Sequence, residues 1–148
     1  ADYVKGNRFW HKDLWREMPV TRIVGNVCLS LAAKVVTGYG GIFDSQCGYC
    51  AASRAVLLTL DLDRLFVGYG YPIDFLARLF RVGARVRDVR VRPIYGAGWK
   101  SGIRLRALVH PIPWVLLRSL CARVASGLVP GRTAPVLGAS RRRRALLE

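Results

Sequence analysis

Acidic residues are scarce in this chain of 148: nine Asp and Glu stand against 24 Lys and Arg, a formal net charge of +15. That imbalance disfavours a cationic partner and implies an anionic one, whether nucleic acid, acidic lipid or a phosphorylated substrate. Lysine is scarce as well. Lys5, Lys12, Lys34 and Lys100 are the whole set, so arginine carries the charge. The bias fits phosphate recognition by a planar guanidinium, and it equally fits a GC-rich genome. No apolar run of about 18 uninterrupted residues occurs, which argues against a transmembrane helix in this segment. The opening residues ADYVKGNRFWHKD are polar and charged, unlike a signal peptide. No internal repeat is present.

Cysteine is limited to Cys28, Cys47, Cys50 and Cys121, and histidine to His11 and His110. Without secretory context, four cysteines are expected to be reduced thiols. Cys47 and Cys50 form a C-x-x-C, the spacing of redox dithiols and of half a zinc site. A structural zinc would need two further ligands, and no other Cys or His stands at a ligand spacing from this pair. Small residues on a partly buried segment are the plainer reading of the pair, with a dithiol ahead of a helix as the alternative.

What is present is a modest amount of mixed α/β material. At 52% hydrophobic residues the composition is that of a globular domain with a modest core. ADYVKGNRF reads as a short strand ending in a Gly-Asn turn. MPVTRIVGNVCLSLAAKVVTG predicts a helix with Pro19 near its start, Thr21 as cap, Gly38 as stop, and an apolar stripe at Ile23, Val27, Leu31 and Val35. YGGIFDSQCGYC reads as a glycine-rich loop or a short extended segment. Ser53 is placed to cap a helix over RAVLLTLDL. A third helix is expected within FVGYGYPIDFLARLFRVG, with Pro72 in its first turn, Asp74 complementing the N-terminal dipole, and Gly83 closing it. ARVRDVRVRPIYG reads as a strand ended by Pro93, and AGWKSGIRLR as a basic loop. ALVHPIPWVLLRSLCARVASGL, within 107–128, predicts an amphipathic helix lying either on the protein surface or in a membrane interface. The segment 129–148 has no apolar period and reads as a disordered basic tail.

Taken in order, DYVKGNRF, MPVTRIVGNVCLSLAAKVVTGY, IFDSQCGYCAASRAVL, YGYPIDFLARL, VRDVRVRPIYG and KSGIR resemble the C-terminal half of a family 2 glycosyltransferase. The type is the polyprenyl-phosphate sugar transferase, similar to dolichyl-phosphate mannosyltransferases, and the resemblance covers about residues 2 to 106. It implies the fold class: α/β, the acceptor-side half (1–106) of a GT-A type, Rossmann-like domain, followed by the amphipathic helix and the basic tail. In that family the central loop reads D-P-Q-x-G-Y/F. Here Asp44, Gln46, Gly48 and Tyr49 stand on the matching positions, and the cysteines fall on variable ones. The resemblance therefore implies catalytic roles for Asp44 and Gln46, with Gly48, Tyr49 and Asp74 positioning the sugar. It places Arg8 on the acceptor phosphate, with Lys100, Ser101 and Arg92 as further phosphate ligands. The family's acidic residue is missing near Lys100, where Gly98 and Trp99 stand.

The residues alone keep other roles open. Asp44 can be a turn-forming residue, a group that hydrogen-bonds sugar hydroxyls, or an acid/base if the acceptor is a hydroxyl. Lys5 reads as a solvated surface lysine and Arg92 as a strand-edge arginine. The resemblance implies a nucleotide-sugar donor, a polyprenyl-phosphate or glycan acceptor, and a peripheral location on the inner face of the cell membrane, against anionic lipid. It also implies Mg²⁺ or Mn²⁺ held by a D-x-D-type site in a donor half expected ahead of Ala1. The competing expectation from charge alone is a nucleic-acid- or anionic-lipid-binding module without catalysis. No nucleic-acid recognition motif accompanies the charge.

Overall fold

The computed structural model describes residues 1–94, 110–125 and 127. In chain order the elements are β1 (Tyr3–Asn7), α1 (Leu14–Glu17), α2 (Val20–Thr37), β2 (Cys50–Ala52), α3 (Arg54–Leu57), α4 (Tyr71–Arg81), β3 (Val86–Arg90) and α5 (Ile112–Ala125). The three strands form one mixed sheet in the order β2-β1-β3. β1 runs antiparallel to β2, with Tyr3 opposite Ala52, and parallel to β3, with Tyr3 opposite Val86.

The central strand is buried along almost its whole length, including the polar side chains of Lys5 and Asn7. Tyr3 and Val86 bring the sheet against Phe75, Leu76 and Leu79 of α4 and Val56 of α3. A second cluster joins α2, α4 and α5 through Ala33, Val36, Ile73, Ile112 and Val115. A third, Leu14, Met18 and Ile23, seats α1 on the start of α2. Helix α5 is thus packed into the body of the fold. Segment 129–148, the expected basic tail, lies outside the described residues.

Local signals were obeyed where they were chemical. Ser53 caps α3 by accepting the Val56 N–H at 3.2 Å. Pro72 lies in the first turn of α4, and Gly38, at φ 85°, ends α2 in the left-handed region. Four expectations are corrected. Pro19, not Thr21, is the N-cap residue of α2, and no side chain caps it. Of the stripe Ile23, Val27, Leu31 and Val35, Ile23 alone is buried; the helix packs instead through Asn26, Ser30, Ala33 and Val36. Helix α3 is a single turn ending at Leu57, and Cys50–Ala52 ahead of it is a strand. Helix α2 is also long and apolar enough to cross a membrane, with mean hydropathy 1.4 over 18 residues. Counting uninterrupted apolar residues misses it because Arg22 and Lys34 break the run.

Candidate anion-binding site

The end of β1, the loop 38–49, the end of β3 and the first turn of α2 converge on one cleft. Its volume is about 540 Å³, and it is lined by Arg8, Arg22 and Arg92 together with Cys47, Tyr49 and the segment 91–94. Three guanidinium-bearing residues around one opening concentrate positive charge suited to an anion with several oxygens, with Asp44 engaging Arg8 and Asp13 and Glu17 lying near Arg92.

Arg8 is held by Asp44. Its Nε donates to Oδ2 at 2.6 Å and its Nη2 to Oδ1 at 2.9 Å, and the Arg8 backbone N–H adds a contact to Oδ2 at 3.2 Å. Asp44 is fully buried, whereas the Arg8 side chain keeps 12% exposure. A two-pronged pair of this kind fixes the plane of the guanidinium as well as its position. Both carboxylate oxygens of Asp44 are occupied in doing so.

Around the pair lies a buried polar layer. Lys5 donates from Nζ to the Cys47 carbonyl at 2.7 Å. Asn7 donates from Nδ2 to Asp88 Oδ2 at 2.7 Å, and the Phe43 N–H reaches the same oxygen at 2.8 Å. Ser45 accepts from Gln46 Nε2 at 3.0 Å, and its N–H donates to Ser30 Oγ of α2 at 3.0 Å. These bonds tie the loop to β1, β3 and α2, so the loop is positioned by elements on three sides. Burial lowers the Lys5 pKa from its ordinary value, the nearby thiol and carboxylate groups opposing the shift. Burial likewise raises the Asp88 carboxyl, with the Phe43 N–H and Asn7 pulling the other way. Gly6 sits where the loop crosses the strand. A Cβ there would lie 3.0 Å from Cys47 Sγ and 3.1 Å from the Tyr49 carbonyl.

The expected site residues divide into three groups. Arg8, Arg92 and Tyr49 line the cleft, and Asp44 anchors Arg8 beneath it. Gln46 bonds to Ser45 within the loop, and a Cβ built on Gly48 would meet open space. Asp74 stands elsewhere: buried in α4, it accepts Arg78 Nε at 2.9 Å and the Phe66 N–H at 3.0 Å. Arg78 continues that network to the carbonyls of Asp61 and Arg64. Asp74 therefore ties the loop before α4 to the helix and touches neither Arg8 nor the cleft-lining residues named above. Lys100 and Ser101 lie outside the described residues.

Sequence reasoning passed over Arg22, Asn7 and Asp88, and it took Lys5 for a surface residue. Lys5 is 2% exposed. The strand period of two gave the signal, since Tyr3, Lys5 and Asn7 share one face and Tyr3 is a core residue. For Arg22 the signal was weaker: an arginine in the first turn of an apolar helix.

The cysteines are all free thiols. Cys47 is buried and burial pushes its thiol pKa up, opposite to what an attacking thiolate needs. Among the described residues no three His, Cys, Asp or Glu side chains gather as a metal ligand set. Asp44 gives both carboxylate oxygens to Arg8. Asp88 accepts on Oδ2 while its buried Oδ1 has no hydrogen-bond partner among the described residues, and Asp13 and Glu17 lie 3.9 and 3.7 Å from Arg92. The described residues therefore offer no ligand set for the divalent cation that the resemblance implies, and no chemical step is routed through it. No family model, curated protein or solved structure matches the chain.

Proposed function

We propose that this chain is the acceptor-side part of a family 2 glycosyltransferase, and that the arginine cleft binds the phosphate of a polyprenyl-phosphate acceptor. The observation that carries the reading is the Arg8–Asp44 fork set into a cleft shared with Arg22 and Arg92. A mixed α/β arrangement around a small sheet accommodates the GT-A half-domain that the sequence resembles.

The engagement of Asp44 favours a phosphate acceptor over a hydroxyl one. A hydroxyl nucleophile needs a base to take its proton, and Asp44 spends both oxygens on Arg8. A phosphate oxygen is already anionic at neutral pH and needs none. In the transfer, that oxygen forms a bond to the anomeric carbon while the bond from that carbon to the nucleoside diphosphate breaks. The electron pair of the broken bond leaves with the diphosphate. The chain's own contribution is to hold the nucleophilic phosphate in line, which is where much of the acceleration of such a step originates. Asp44 is then a positioning residue acting through Arg8. Tyr49, 73% exposed at the cleft, is available to cover a bound sugar or prenyl stem. The proposed location is peripheral, on the inner face of the cell membrane, where the +15 charge meets anionic headgroups.

The gene upstream of Ala1 tests the reading. A reading frame that continues into a βαβ half ending in a D-x-D motif is expected. A start codon immediately before Ala1 would leave no donor side, and an anion-binding module without catalysis would replace the transferase. The same reading requires the isolated 148 residues to be inactive in sugar transfer, and robust turnover by them would contradict it.

A further inference from the structure

Helices α2 and α5 bury polar side chains beside Ile23, Ala33, Val36, Ile112 and Val115, and carry a second apolar stripe outward. In α2 the buried positions include Asn26, Ser30 and Thr37, while Val20, Val24, Val27, Leu31 and Val35 are exposed, Leu31 at 58%. In α5 Ser119 is buried, whereas Trp114, Leu117, Leu120 and Val124 face outward. No charged residue occupies an exposed position of α2, and Arg118 is the one that does so in α5. A surface helix in water turns its apolar stripe to the core and its polar residues to solvent. A helix with an apolar face on its outer side as well suits surroundings less polar than water.

The two outer faces belong together. Ala33 and Val36 of α2 pack against Ile112 and Val115 of α5, and Arg123 of α5 donates to the Val35 carbonyl near the end of α2. We propose that this joint face of α2 and α5 seats in the headgroup–acyl boundary of an anionic lipid bilayer. It would hold the arginine cleft, which begins at Arg22 in the first turn of α2, at headgroup height.

Charge selects lipid over the other occupants. A second copy would bring two chains of +15 face to face, whereas anionic headgroups neutralise them. The polar groups suit the same boundary: Arg118 and Arg123 on long apolar stems, and Trp114 near the start of α5. Because α2 packs its other face on the protein body, it lies along the boundary with its side in the acyl region. The inference rests on the acceptor reading only for what the cleft holds.

Native cysteines report on the face directly. Cys28 is exposed on α2 and Cys121 on α5, and Cys50 in β2 is an exposed reference on neither helix. The full chain is labelled with a water-soluble maleimide, with and without phosphatidylcholine vesicles containing phosphatidylglycerol, and each site is read by mass spectrometry. Cys28 and Cys121 are expected to be protected on vesicles and Cys50 to react as before. Leu31→Glu, checked for retained helicity, is expected to weaken vesicle binding by about tenfold or more, since one buried leucine is worth that much.

Equal labelling of Cys28 on vesicle-bound chain would overturn the inference. So would protection of Cys28 without vesicles accompanied by a dimer in sedimentation, which would assign the face to a second copy. Binding of geranyl phosphate, a water-soluble isoprenyl phosphate, separates the two readings. Lost protection with intact geranyl phosphate binding overturns the membrane face alone, and the opposite pair of results overturns the acceptor reading alone.

Discussion

Asp44 exposes no surface, yet it decides where the Arg8 guanidinium points. Removing one member of a buried pair leaves the other charge uncompensated, so Asp44→Asn is expected to destabilise by about 3 kcal/mol, the low end of the range because Arg8 keeps a path to solvent. Denaturant unfolding checks the value. A loss below roughly 1 kcal/mol, the range of an exposed ion pair, would show that the fork is not a structural anchor.

Asp88 gives a prediction of opposite sign. Burial holds its carboxyl above the ordinary value of 3.8, so the ionised form costs stability in the fold. The advantage of the protonated form is complete below pH 3.8 and is lost as pH rises through the raised value. Asp88→Asn keeps an acceptor for Asn7 and Phe43. It is expected to raise Tm at neutral pH, with the gain shrinking as pH falls towards 3.8. A gain that stays constant across that window would remove titration of Asp88 as its cause.

At this scale the sequence was partly legible. Arg8 and Asp44 stood out as separate residues, but their pairing bridges 36 positions and no local spacing reveals it. Lys5 was misread because residue type was weighed above strand period. Asp74 stands in the first turn of α4 as its sequence position suggested, and its partner one turn on, Arg78, was the part not read.

Gly6 shows how one element constrains another. It donates its N–H to the Tyr49 carbonyl at 2.8 Å, and a Cβ would press on that backbone oxygen and on Cys47 and Val91. Gly6→Ala is expected to cost about 1–3 kcal/mol through overpacking and to loosen the loop that carries Asp44. A loss of stability together with weaker anion binding is the signature, read by thermal melts and titration of one sample. Unchanged stability would mean that the loop can give way.

Elements fixed by chemistry were readable: the Ser53 cap, Pro72, the Gly38 stop and the β-branched run of β3. Strand β2 was not. Its three residues, Cys50–Ala52, carry no strand preference and exist as a strand because β1 offers an edge to pair with. The orientation of α2 was misjudged for a different reason. Periodicity locates an apolar stripe but not the direction it faces, and in α2 Val27, Leu31 and Val35 face outward while Ala33 and Val36 pack inward.

For the whole molecule, the excess of positive charge is what composition announced most clearly, and the cleft gives part of it a location. Arg8 just past β1, Arg22 in α2 and Arg92 just past β3 close on one opening. No linear motif could have displayed that set, because Arg92 lies 84 residues from Arg8 by subtraction of their positions. The exposed apolar face of α2 and α5 and this cleft are two distinct surfaces, the first proposed for the bilayer and the second for the acceptor's phosphate.

The most direct measurement is calorimetric titration of the full chain with geranyl phosphate and, as control, geraniol, repeated with Arg8→Gln and Arg92→Gln. Binding is expected to require the phosphate and to weaken by about tenfold or more on loss of Arg8, as removal of a charge-assisted hydrogen bond implies. A smaller loss is expected at half-exposed Arg92. Equal affinity for the alcohol, or binding indifferent to Arg8→Gln, would contradict the assignment of the cleft as the acceptor-phosphate site.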